Sequence, residues 1–113
     1  MSRRTPTAFR IDKAACLFAA LGDPTRLTLV SRLGTGGPMS TARLTEGAQI
    51  SRQAVTKHLE VLAGAGLVRD ERRGRERLWV VEAERLTEAR RCLEAISSQW
   101  DGALDRLRAF VED

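Results

Sequence analysis

Apolar residues recur every three or four positions along most of this chain and alternate in only one short stretch. Ala14, Leu17, Phe18 and Leu21 stand at i, i+3, i+4 and i+7, one face of a helix. Asp12 stands where its N-cap would, and Gly22 where its C′ residue would. Asp23-Pro24 restarts a helix at once, with aspartate as cap and proline in the first turn. Leu27, Val30 and Leu33 supply its buried stripe, and Gly34, Gly36, Gly37 and Pro38 break it. Ser40 caps a short third helix, STARLTEG. Residues Gly47 to Ile50 then make a tight connection to a fourth helix, SRQAVTKHLEVL, capped by Ser51 and closed by Gly66. Leu67-Val68 opens a strand. A second strand carries Leu78 and Val80 on one face and Trp79 and Val81 on the other. RDERRGRER lies between them with Gly74 at its tip, so the pair reads as a hairpin with a charged loop.

The last pattern is the longest. From about residue 83 to 111, Leu86, Ala89, Leu93, Ile96, Trp100, Ala103, Leu107 and Phe110 alternate three- and four-residue steps without a miss, which is a heptad seam. Gly102 inside it costs about 1 kcal/mol relative to alanine. A helix of that span is ~43 Å long at ~1.5 Å per residue, and a compact chain of this size has a radius of gyration near ~13 Å. One small core cannot cover it, so the seam predicts a partner chain. Residues 1–10 read as a loose basic arm and 11–113 as a single domain, mainly α with a β-hairpin.

Charge sharpens this picture. The 113 residues carry a net +4, but residues 1–81 hold +7 and residues 82–113 hold −3. A basic body with an acidic end favours polyanionic partners. Arginine bias, with 17 of 19 basic residues Arg, accounts for the clustering less well than for the total. The amino-terminal residues have no apolar run behind them, no stretch approaches a membrane span, and two cysteines are too few for a disulfide scaffold. The expectation is a soluble cytoplasmic protein without a membrane partner.

At about 100° per residue, Val55, Leu59 and Leu62 fall in one sector of the fourth helix, flanked by Ala54, His58 and Val61. Arg52, Gln53, Thr56 and Lys57, with Glu60, form the polar side, and Ser51 caps the helix. A short helix, a four-residue turn and this helix read as helix-turn-helix, whose second helix sends its polar face into the DNA major groove. Glutamine can pair both edges of adenine, arginine and lysine reach guanine, and serine or threonine serves either. A solvated face on a packed helix has the same spacing, and the hairpin shifts the balance. Arg72, Arg73, Arg75 and Arg77 straddle its glycine tip, interleaved with Glu76 alone, and a wing of that kind lies beside phosphates and can dip an arginine into the minor groove. His58, the one histidine, is read as a packing residue.

ALGDPTRLTLVSRL, ISRQAVTKHLEVLAGAGLV and GRERLWVV together resemble the bacterial ArsR/SmtB family of winged helix-turn-helix repressors over roughly residues 12–112. The resemblance implies four helices, two strands and a fifth helix in that order, with Ser51, Arg52, Gln53, Thr56 and Lys57 as the recognition face and Arg72, Arg73, Arg75 and Arg77 as the wing. It also implies a homodimer through the first and last helices, an inverted-repeat operator on double-stranded DNA, and release by an inducer the sequence does not identify. Many members sense metals through paired cysteines in the third helix or Asp, His and Glu on the last. Here the third helix has no cysteine and the last no histidine, so no metal site or other cofactor is expected. Cys16 and Cys92 lie on the two helices the family pairs, which raises a thiol-based, redox-sensing switch as an alternative; two inert buried thiols are the plainer reading. An adaptor that binds protein instead of DNA is the other alternative. No nucleophile–base arrangement or phosphate-binding glycine loop is present, and no enzyme is expected.

Overall fold

The computed structural model describes residues 6–112, with side chains from residue 11 onward. Its order is α1 (Pro6–Leu21), α2 (Pro24–Gly36), α3 (Thr41–Thr45), α4 (Arg52–Gly64), β1 (Val68–Arg73), β2 (Glu76–Val81) and α5 (Ala83–Glu112). The expected mainly helical architecture with one hairpin is what the chain adopts.

The helix starts follow from their caps. The side chains of Asp23, Ser40 and Ser51 accept from the backbone N–H groups of Arg26, Arg43 and Ala54 respectively, each satisfying a donor the first turn leaves unpaired. α1 differs from expectation. It begins at Pro6, well before Asp12, because proline at a first helical position is already set for helix and lacks the N–H that would go unpaired. Residues 6–10 are therefore helix instead of arm; residues 1–5 of the expected arm lie outside the described residues.

One cluster gathers Leu17 and Ala20 of α1, Leu29, Val30 and Leu33 of α2, Leu44 of α3, Val55, Leu59 and Leu62 of α4, the hairpin base and Ala89 of α5. The α4 stripe is fully buried, as its spacing predicted. The α2 stripe is rotated from the expected one. Leu29 takes the core position beside Val30 and Leu33, and Leu27 stands exposed. Two stripes fit that leucine-rich sequence equally, and packing against α4 selects between them.

The hairpin is antiparallel, from Val68 opposite Val81 to Arg73 opposite Glu76. Its two-residue loop places Gly74 at φ 62° with no positive φ at Arg75, the pattern of a type II′ turn, which needs glycine first. Met39 pairs with the middle of β2, its N–H donating to the Trp79 carbonyl at 3.2 Å and its carbonyl accepting from the Trp79 N–H at 2.8 Å. The Trp79 indole Nε1 donates to Thr41 Oγ1 at 2.9 Å. The hairpin is thus fastened to the start of α3 and cannot swing independently of the helix-turn-helix.

α5 leaves the body. Leu86 packs against the core and Ala89 and Cys92 are buried, but from Leu93 onward the large apolar residues are exposed. The radius of gyration is 18.4 Å and the extents are 66 × 37 × 20 Å, well beyond the ~13 Å of a compact chain this long. Among the described residues, no helix is long and apolar enough to cross a membrane.

Candidate nucleic-acid interface

α3 and α4 form the helix-turn-helix, and two arginines of α2 hold it in place. Arg32 reaches across to the end of α3, where its guanidinium donates to the carbonyls of Leu44 at 2.8 Å and Arg43 at 3.2 Å. Those are carbonyls a helix end leaves without intrahelical partners. Arg26 donates through Nε to the Ala20 carbonyl of α1 at 2.6 Å, and its Nη1 lies 3.3 Å from His58 Nδ1 on α4. An arginine only donates, so a hydrogen bond here requires His58 Nδ1 as the acceptor. Asp23 Oδ2 stands 3.9 Å from the same nitrogen. The Arg26 backbone N–H bond, with the Arg26 charge, holds the Asp23 carboxyl below the usual aspartate range. His58 is therefore half-buried in a polar cluster instead of simply packed among apolar groups. Position on a helical wheel shows which face His58 occupies, but not that Asp23 and Arg26, more than 30 residues earlier, meet it there.

On the outer side of α4, Arg52, Gln53, Lys57 and Glu60 are exposed. The two hydroxyl residues predicted beside them have local partners. Ser51 is the cap, and Thr56 Oγ1 donates to the Arg52 carbonyl at 3.0 Å. Of the five predicted recognition residues, Arg52, Gln53 and Lys57 thus project with no hydrogen-bond partner among the described residues.

The hairpin departs most from what its sequence suggested. Its arginines are not interleaved with Glu76 alone in space, because Asp70 and Glu71, just upstream, fold back among them. Arg69, Glu71 and Arg73 share one face by strand alternation. Glu71 Oε1 accepts from Arg69 Nη1 at 3.0 Å and Glu71 Oε2 from Arg73 Nε at 2.7 Å. Arg69 Nε also lies 3.2 Å from Glu82. The Arg73 bond, and the charges of Arg73 and Arg69, hold the Glu71 carboxyl below the usual glutamate range. On the other face Arg77 donates to Asp70 Oδ2 at 2.7 Å and lies over the Trp79 ring, 5.0 Å from its centroid. Arg72 sits directly opposite Arg77. Among the described residues neither Arg72 nor Arg75 has an ion-pair partner.

The two thiols differ. Cys16 is exposed on α1 and Cys92 is buried on α5, and both are free cysteines. Cys16 lines a cavity of about 320 Å³ between α1, the end of α4 and the start of α5, where Arg85 and Glu88 form an ion pair at 2.9 Å.

A helix-turn-helix fastened to a cationic hairpin, followed by a long terminal helix, defines a winged helix-turn-helix protein. Comparison with known proteins agrees. A model of a helix-turn-helix domain matches residues 21–71. The HTH-type transcriptional regulator Rv2034 of Mycobacterium tuberculosis is 36% identical over 93 residues, covering 82% of this chain and 83% of that protein. An ArsR-like transcriptional regulator from Rhodococcus sp. RHA1 superposes with a TM-score of 0.77 at 34% identity, covering 88% of this chain and 93% of that one. The transcriptional repressor BigR from Xylella fastidiosa does so with a TM-score of 0.63 at 26% identity, covering 79% and 91%. The chain belongs to the ArsR family of winged-helix transcriptional regulators. Its DNA-binding domain is of the helix-turn-helix type, and its family and relatives are regulators, not enzymes.

Proposed function

We propose that this regulator is a homodimeric repressor that binds an inverted-repeat operator in double-stranded DNA and is released by an inducer. The observation that carries the reading is the exposed edge of α4. Arg52, Gln53 and Lys57 project to solvent from a helix whose other side is fully buried and whose frame is clamped by Arg26 and Arg32. Long donors and acceptors on a rigid rod are what base-edge readout in a major groove requires. Gln53, in the first turn, is the direct reader, with Arg52 beside it. Lys57, Ser51 and Thr56 lie toward the sugar-phosphate edge, and the wing lies along the backbone with Arg72 and Arg75 unpaired among the described residues and Arg73 and Arg77 held by Glu71 and Asp70.

The dimer follows from α5. Leu93 is 54% exposed, Trp100 63% and Phe110 78%. Contiguous apolar surface of this kind calls for a partner, and a second copy pairing α5, with α1 beside it, covers the seam from Leu93 through Ile96, Trp100, Ala103 and Leu107 to Phe110. Leu86 and Ala89, the first two positions of the seam, serve the protomer's own core. A two-fold dimer presents two α4 helices to two half-sites, which makes the operator an inverted repeat. That BigR is a repressor supports the direction of regulation. A protein-binding adaptor would need its apolar surface on α4 or the wing, whereas the large exposed apolar residues concentrate on α5.

Selection from a random duplex pool tests the proposal. Sequencing should recover an inverted repeat whose half-site centres lie about 10 base pairs, or a multiple, apart. A pool with no enriched sequence would overturn it.

A further inference from the structure

The hairpin carries more arginine than it presents. Residues 69–77 contain five arginines and three acids. The geometry sorts them: Arg69 and Arg73 are bound to the two oxygens of Glu71, Arg77 is bound to Asp70, and Arg72 and Arg75 are left unpaired among the described residues. Strand parity explains why. Arg69, Glu71 and Arg73 fall on one face in sequence order, so a single carboxylate lies between two guanidiniums. On the other face Arg72 opposes Arg77, and like charges directly opposite repel. Arg77 is drawn away toward Asp70 and over Trp79, and Arg72 remains facing solvent.

We propose that Glu71 is a specificity-determining positioning residue, a charge latch that keeps Arg69 and Arg73 off the phosphate backbone so that the wing engages DNA through Arg72 and Arg75. This deepens the DNA-binding reading and rests on it. Phosphate contacts supply sequence-independent affinity, whereas base contacts supply discrimination. A wing with every arginine available would strengthen binding to all duplexes alike and dilute the preference set by α4. A carboxylate that holds two of them, and is itself repelled by phosphate, limits that affinity.

The consequence is specific to charge. Glu71→Gln keeps the size and shape of the side chain on an exposed hairpin face but removes the anion. Arg73 is then available to phosphates, while Arg69 keeps Glu82 as its partner. Binding of the full-length protein to a duplex of scrambled sequence should tighten several-fold at low salt. The slope of log affinity against log salt should steepen by about 0.9 for each arginine that engages. The ratio of affinities for a selected operator over the scrambled duplex should fall. Arg73→Ala in the otherwise native protein should leave the slope nearly unchanged, because that arginine is already held, whereas Arg72→Ala should flatten it. Adding Arg73→Ala to Glu71→Gln should return the slope part of the way.

If native protein binds duplex but Glu71→Gln leaves the salt slope unchanged, or weakens binding to both duplexes equally, the latch is wrong while the DNA reading stands. Equal flattening by Arg73→Ala and Arg72→Ala would also overturn it, and needs no change at Glu71. Native protein that binds neither duplex at any salt would overturn the DNA reading and the latch with it.

Discussion

Gln53 and Lys57 sit one helical turn apart on the same exposed edge of α4, and the account gives them different work. Gln53→Ala should cost about 1–3 kcal/mol at one operator base and little on scrambled duplex. Lys57→Ala should weaken both duplexes alike and flatten the salt slope. Equal losses on the two duplexes for Gln53→Ala would remove it from base readout. Asp23 matters to stability instead. Its folded carboxyl titrates below the ordinary aspartate value because the Arg26 N–H bonds the charged form. Its contribution is therefore present above the unfolded aspartate value and is lost as pH falls through the depressed one. Denaturation midpoints measured on both sides of that window should fall on acidification, and Asp23→Asn, which can still cap, should show a smaller fall. Glu71 has the same sign. At this scale the sequence showed the side chains but not their partners. The exposed edge of α4 was legible from spacing. That Asp70 and Glu71 neutralise wing arginines depends on strand parity and register, which an assignment of the segment as charged loop does not resolve.

Elements were the most legible level. Ser51 and Ser40 act through hydroxyls that accept from the third residue onward, a local pattern that sequence states directly. Ser51→Ala should cost roughly 1 kcal/mol of stability. Leu59, fully buried between α4 and the rest of the core, should cost about 2–5 kcal/mol when cut to alanine. Thermal or denaturant unfolding measures both. Two elements were misread for physical reasons. α1 starts at Pro6 because proline nucleates a first turn as well as Asp12 could cap one. α2 turns Leu29 inward and leaves Leu27 in solvent, a choice made by packing against α4 that the leucine spacing leaves degenerate. The helix-turn-helix itself, its turn and the hairpin tip at Gly74 were all visible in local signals.

The whole molecule is a compact body with one long arm of helix. The body carries the positive excess and the arm the negative one, so a polyanion is drawn to the body and not to the arm. The heptad seam predicted a partner from length alone, and the exposure of Trp100, Leu107 and Phe110 gives that prediction its surface. Replacing Trp100 and Leu107 together by aspartate should shift the protein to monomer in sedimentation and make unfolding independent of protein concentration. A variant that stays dimeric would place the interface elsewhere. Monomers should also lose most of the operator affinity, because one α4 then reads one half-site.

The central claim, that α4 reads sequence from a wing-docked dimer, meets its most direct test in one titration. Native protein is bound to the selected inverted repeat and to a scrambled duplex of equal length across a range of salt. The account predicts steeply salt-dependent binding to both, a preference for the repeat of about 10³ or more, and two protomers per duplex. Equal affinity for the two duplexes at every salt would contradict it.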